Sequence, residues 1–492
     1  MDQQDINKDN KYPRKFFGHP GTLRTLFMTE FWERFSYYGM RAILLYYMYT
    51  AISQGGLGLD VKLATSIMAI YGSLVYMTSA IGGYVSDRLI GSAKSVLYGG
   101  ILIMMGHIFL SMPMRLNGLI LSIIFITIGT GLLKPNVSET VGSLYVNDPH
   151  KRDSAFSIFV MGINLGSLIA PLVVSFVGQT YNYHMGFLLA AIGMGFGLIG
   201  YILQIKNLPV LSKTVTNPLT KAEKNSLIKK LTLAIVFILI VLLALKLTNL
   251  LTANVVILIF TIIGIFLPVY YLINMFNSKK VTKTEKLHLK AYLPLFICEI
   301  LFCIIVEQGG VVLALFAEDQ TQLNIGSLHL QAGQFQSLNP LFIIIYSPIF
   351  AILWTKLGKH QPSAPTKFAL SLIFSGLSFA VMAIPVALFG ASAKVSPLWL
   401  VLSWAILEIG ELLISPIGLS ITSQLSPKAF KSQMMSMWFL GNACAQAFNS
   451  QIVRLYTPNN EVMYFSIIGL VSIIAAFVLL ALTPKIKELI KA

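Results

Sequence analysis

Apolar runs of about twenty residues recur along this chain, separated by short polar connections that are often basic. The pattern predicts fourteen helical spans, near 26–50, 61–85, 94–113, 117–138, 153–177, 184–204, 227–247, 252–274, 292–316, 337–355, 367–390, 398–423, 431–453 and 463–484. At 1.5 Å rise per residue, runs of this length cross a hydrocarbon layer of about 30 Å. The expected fold is therefore an all-α polytopic membrane protein. Six spans, a two-span insert and six more spans divide the chain into 1–204, 205–290 and 291–492. Two similar halves around a central site is how many secondary transporters are built. The insert has basic, polar ends and no acid within its two spans, so it reads as a peripheral hairpin outside any pathway.

Charge sharpens this topology. Of 36 Lys and Arg, 28 fall at the termini and in the even-numbered connections, 5 fall in the other connections, and Arg34, Arg41 and Lys134 lie inside spans. This bias places both termini in the cytoplasm. The net charge of +16 is then a signature of topology and of attraction to anionic lipid heads, which argues against a nucleic-acid partner. Only 11% of residues are charged, against about 25% in soluble domains. Residues 1–24 are polar, and the first apolar run is too long and too charged for a signal peptide. Cys298, Cys303 and Cys444 all fall in spans and read as small apolar fillers. His107 reads likewise as structural. No H-E-x-x-H, G-x-S-x-G or Walker A sequence occurs, so neither an enzyme nor a metal site is expected.

The charges inside spans carry the chemistry. The first span reads TEFWERFSYYGMRAILLYYM over residues 29–48. Each charge near a bilayer centre costs about 2.5–3.5 kcal/mol on insertion scales unless it is paired or wet. Glu30 and Arg34 stand four residues apart, as do Glu33 and Tyr37, Arg34 and Tyr38, and Tyr37 and Arg41. They share one broad helix face, and so form a lining. Lys134 lies in GTGLLKPN, where Pro135 and two glycines are expected to break helix regularity. Glu307 lies in VEQGG, and Glu408 and Glu411 in LEIGELLISPIG, with Pro416 one turn on. Glu299 sits two turns before Glu307, as either a buried structural acid or a member of the lining. Asn164, Asn339, Tyr76 and Trp438 complete the polar and aromatic set. The first half supplies Arg34, Arg41 and Lys134, and the second supplies Glu307, Glu411 and Asn339. If these converge, the cavity is dipolar and suits a zwitterion: guanidinium forks match a carboxylate, while acids and amide oxygens match an ammonium.

GGYVSDRLIGSAK, residues 82–94, resembles the first cytoplasmic hairpin motif of the major facilitator superfamily. E-F-W-E-R-F-S-Y-Y-G-M-R closely resembles the E-x-x-E-R-F-x-Y-Y-G signature of proton-dependent oligopeptide transporters, the POT or PTR2 family. FSIFVMGINLGSLIAP, GLLKPN, EQGG, QSLNPLFI and LEIGELLISPIGL are similar to further segments of that family. The resemblance implies proton-driven symport of di- and tripeptides across the cytoplasmic membrane, with no cofactor, no nucleic acid and no obligate protein partner. It implies Arg34, Arg41 and Lys134 near the peptide carboxylate, with Asn164, Asn339 and Glu411 near its amino group, and Glu307 also among the peptide-binding residues. Glu30, Glu33, Arg34, Lys134 and Glu307 would couple protons, Arg41 and Glu307 would form a gate, and Tyr37, Tyr38, Tyr76 and Trp438 would shape the pocket. Animal members use a histidine in span two for coupling; none stands there here, so protonation would rest on carboxylates. Carriers of nitrate, drug-like or other small organic substrates share such a fold and remain open, as do a polytopic membrane enzyme and a peptide-sensing receptor.

Overall fold

A computed structural model of the chain describes residues 16–146, 149–215 and 217–491. Part of the basic N-terminal segment, on which the expected orientation draws, lies outside them. Fourteen long helices follow one another among the described residues. They are α1 Gly21–Tyr49, α2 Val61–Val85, α3 Ser92–Ser111, α4 Arg115–Ser143, α5 Pro149–Thr180, α6 Tyr183–Gln204 and α7 Lys221–Leu247. After these come α8 Ala253–Asn277, α9 Lys283–Val306, α10 Leu338–Leu357, α11 Ala364–Phe389, α12 Leu398–Gln424, α13 Lys431–Ile452 and α14 Glu461–Lys491. Twelve helical stretches are long and apolar enough to cross a membrane. The long helices absent from those twelve, α1 and α13, are the ones richest in polar residues. A small hairpin pairs Asn324 with His329 and Ile325 with Leu328 ahead of α10.

Contacts divide the chain into two compact units. One comprises 1–33, 78–163 and 191–260, and the other 34–77, 164–190 and 261–492. In the first, α3 and α4 cross where Gly99 meets Gly129. A Cβ on Gly99 would lie 2.6 Å from the Gly129 carbonyl oxygen, and one on Gly129 would lie 2.7 Å from that of Gly99. Small residues at such crossings let backbones approach, which is how apolar helices gain contact in lipid. Leu23, Ile103, Leu133, Val137 and Leu198 surround this crossing as a buried cluster. At its polar end, Ser86–Ile90 of the GGYVSDRLIG motif meets the following linker. Arg88 Nη2 donates to Glu223 Oε1 at 2.7 Å, and Asn217 N donates to the Asp87 carbonyl at 3.0 Å. α7 starts on a capping box, with Thr220 and Glu223 satisfying each other's backbone N–H groups.

α4 corrects one expectation, because the helix runs unbroken through Pro135. Proline leaves the Gly131 carbonyl without its helical donor. That oxygen is the atom nearest to where a Gly82 side chain would be, so α2 closes over the gap. Asn136 Nδ2 bonds the Leu132 carbonyl at 2.6 Å and so holds the next turn.

In the second unit α9 is the hub, flanked by α11, α12, α13 and α14. It starts on another capping box, Thr282 with Glu285. It ends at Val306, where the Glu307–Gly310 sequence tightens into a 3₁₀ turn before a short helix, Val312–Asp319. α8, the second helix of the insert, packs on α13 through Thr261 Oγ1 and Ser450 Oγ at 2.7 Å. Among the described residues, the most apolar stretch of α7 has, by contrast, none that is buried. The cysteines are buried and unbridged.

Candidate functional site

The break in α9 puts Glu307 on irregular backbone inside the second unit, where such backbone survives because it is buried in protein. Two glycines follow for a steric reason. A side chain on Gly309 would strike the Trp404 ring, and one on Gly310 would lie 3.1 Å from Arg41 Nε. The guanidinium thus lies against the turn. Arg41 Nη2 donates to Glu307 Oε2 at 2.7 Å, Gln446 Nε2 donates to the same oxygen at 2.5 Å, and the Tyr76 hydroxyl donates to Oε1 at 3.0 Å. A buried ion pair repays its desolvation only when further hydrogen bonds complete it, and here two neutral donors do so. Behind it, the Tyr464 hydroxyl donates to Gln308 Oε1 at 2.7 Å and Gln308 Nε2 donates to Asn449 Oδ1 at 3.0 Å. Asn449 Nδ2 donates to the Ile304 carbonyl at 3.1 Å, which ties the turn to α13.

Around the pair lies a cavity of about 150 Å³. Tyr38, Arg41 and Tyr76 line it together with Glu299, Glu307 and Glu411, as do Asn339 and Trp438. A void of this size admits a small organic group. Asn339 Nδ2 donates to Glu408 Oε1 at 2.6 Å, which leaves the amide oxygen available as an acceptor. Trp438 lies flush against α12 because Gly418 has no side chain to strike the ring. Tyr37 is buried, with its ring edge-on to Tyr38 at 5.3 Å between centroids.

Not every expected residue reaches that wall. Arg34 is buried on α1 and Asn164 half-buried on α5, in the same unit but outside the cavity lining. Glu30, Glu33 and Lys134 belong to the first unit, the two acids buried on α1 and Lys134 half-buried on α4. His107 is buried on α3. Sequence reasoning missed Gln446, Gln308 and Asn449. A signal for α13 was present: Asn442, Gln446, Asn449 and Ser450 recur at helical spacing within one span. Glu299, left open between structure and lining, faces the cavity.

Residues 93–471 match the family model described as the POT family. The chain belongs to that family. It is 52% identical over 493 residues to an uncharacterized transporter, YclF, of Bacillus subtilis strain 168, covering 100% of this chain and 99% of that one. It is 47% identical over 497 residues to a di-/tripeptide transporter of Lactococcus lactis subsp. lactis strain IL1403, with 99% of each chain covered. A crystal structure of a peptide transporter POT in complex with sulfate superposes with a TM-score of 0.96 at 50% identity, over the whole of both chains. The POT-family fold and the apolar helices make this a multi-pass membrane transporter.

Proposed function

We propose that this POT-family protein imports di- and tripeptides together with protons across the cytoplasmic membrane, by alternating access of the 1–204 and 291–492 bundles, with both termini in the cytoplasm. The observation that carries the reading is the cavity wall, where one guanidinium, three carboxyls, three amides and aromatic faces surround a single small space. A peptide with free ends is a zwitterion. Arg41, with Arg34 of the same helix, suits its carboxylate, and Glu411 with the Asn339 oxygen suits its ammonium. Tyr37, Tyr38, Tyr76 and Trp438 offer faces that tolerate varied side chains. The name of the Lactococcus relative supports the substrate class. A wall with three carboxyls disfavours a simple anion such as nitrate.

Proton coupling follows from the ion pair. A proton on Glu307 removes the charge that holds Arg41 and frees the guanidinium to take the peptide carboxylate. Loss of that proton restores the 2.7 Å pair and expels the peptide. On this reading Arg41 and Glu307 are the gate, and Glu30, Glu33, Arg34 and Lys134 form the other part of the coupling set. An interior-negative potential assists each inward charge by about 2.3 kcal/mol per 100 mV.

The test is uptake of labelled di-alanine into sealed vesicles holding the purified protein, under an imposed inward proton gradient. Accumulation above equilibrium that collapses with a protonophore is expected. Uptake indifferent to the gradient would sink the coupling, and no uptake would sink the substrate class. Glu33→Gln is expected to lose proton-driven accumulation yet keep peptide exchange; full accumulation by that variant would remove Glu33 from the scheme.

A further inference from the structure

The charges in the cavity wall do not balance. Among the described residues that line it, Arg41 is the sole base, and Glu299, Glu307 and Glu411 are the acids. Glu307 takes Arg41, and Glu411 is assigned above to the substrate ammonium. Glu299 is left over. Its residue is 1% exposed, and neither carboxyl oxygen has a hydrogen-bond partner among the described residues. α13 makes room for it: a Cβ on Gly441 would lie 2.7 Å from Glu299 Oε1.

The groups around it offer no counter-charge. Its own helix presents Tyr292 and Cys303, the turn that follows presents Glu307, and α13 presents Cys444. α12 presents Glu411 and Thr422, whose hydroxyl donates to the Tyr292 hydroxyl at 3.2 Å. α11 and α14 also flank α9, and no charged group on them acts on Glu299. A carboxylate enclosed in this way costs several kcal/mol unless a cation matches it. With the cavity free of substrate, the group is therefore held neutral by a proton.

We propose that Glu299 is the counter-ion for a cationic substrate side chain, so that peptides carrying lysine or arginine bind with that charge against its carboxylate. This rests on the peptide-import reading and deepens it by naming a side-chain subsite. The exchange balances. The carboxyl releases its proton to cavity water, the oxygen keeps the bonding pair, and the N–H donors of the incoming ammonium or guanidinium replace the lost O–H. Net charge of wall and ligand together falls by one, the charge that the released proton carries away. A neutral side chain such as glutamine meets a protonated acid instead, and releases nothing.

The experiment is competition by Ala-Lys and Ala-Gln against labelled di-alanine uptake, for the wild type, Glu299→Gln and Glu299→Asp in vesicles. In Glu299→Gln the affinity for Ala-Lys relative to Ala-Gln is expected to fall roughly tenfold, the effect of losing one charge-assisted contact. Glu299→Asp should recover part of that ratio. Binding to purified protein in weak buffer gives a second readout: the wild type should release one proton more with Ala-Lys than with Ala-Gln, over any uptake at Glu307 that both peptides share, and in Glu299→Gln the two peptides should not differ. If Glu299→Gln does not reach the vesicles, the proton release of the wild type and the aspartate variant decides alone. An unchanged ratio on a working carrier, or equal proton release with both peptides, overturns the assignment and leaves peptide import standing. Failure of the wild type to take up di-alanine would overturn both.

Discussion

Two helix pairs, each inside one unit, solve the problem of packing in lipid in opposite ways. α3 and α4 meet at a glycine crossing, with Gly99 and Gly129 carbonyls against each other's Cα and a mostly aliphatic cluster around them. α9 and α13 meet through carboxyl, amide and carbonyl groups: Glu307 with Gln446, Gln308 with Asn449, and Asn449 with Ile304. The first seam gains van der Waals contact and has no polar alternative to fall into. The second holds a charge and a set of donors in one geometry, and each donor removed leaves a buried acceptor short of a partner. The glycine seam therefore sets rigidity, whereas the polar seam carries the ion pair that the proposed coupling has to open and close.

The harshest way to break that contrast is Arg41→Ala. It leaves the Glu307 carboxylate buried with two neutral donors, Tyr76 and Gln446. Removing one partner of a buried pair costs about 3–5 kcal/mol. Initial rates of di-alanine counterflow are expected to fall by roughly a hundredfold or more, in line with that loss. Full counterflow in correctly inserted protein would mean that the pair is only a packing element.

Gly129→Leu tests the other seam. The new side chain meets the Gly99 carbonyl and Ile103, both closer than van der Waals distance to a Cβ. Overpacking of this kind costs about 1–3 kcal/mol. The melting temperature of the purified protein should drop, while the surviving fraction keeps its apparent affinity for di-alanine. A lost affinity at unchanged stability would erase the distinction between the seams.

How much of this could be read from the sequence follows the same divide. Periodicity and run length located all fourteen helices, because lipid enforces both within each segment. Even α1 and α13, too polar to be counted by composition alone, stood out between their neighbours. Capping boxes were written in T-K-A-E and T-K-T-E at 220–223 and 282–285, and fix the starts of α7 and α9. The break after Val306 was not legible, because the apolar run continues through Val311–Ala317 and hides a turn made by two glycines. Pro135 misled in the other direction, since a neighbouring helix absorbs the carbonyl that it frees. Contacts such as Arg41 with Glu307, 266 residues apart, leave no local trace beyond a charge in an apolar run. Gln446 and Asn449 carry no charge at all, so only their spacing along α13 marked them.

The inserted hairpin offers the mildest test, and it separates the two kinds of seam within one element. α8 touches α13 through a hydroxyl pair, Thr261 with Ser450, and through Gly264, where a Cβ would lie 2.8 Å from that of Ala447. Ser450 also donates to the Ala447 carbonyl at 2.7 Å, so it stays satisfied if Thr261 is lost. Thr261→Val keeps the shape and removes two interhelical hydrogen bonds, the one with Ser450 and the one that Gln451 Nε2 donates at 3.2 Å, each worth about 0.6 kcal/mol on average between membrane helices. A fall of that small size in stability, with uptake intact, is expected. A fall in uptake at unchanged stability would move α8 from the periphery into the transport cycle, because α13 carries both Ser450 and the Gln446 that holds Glu307.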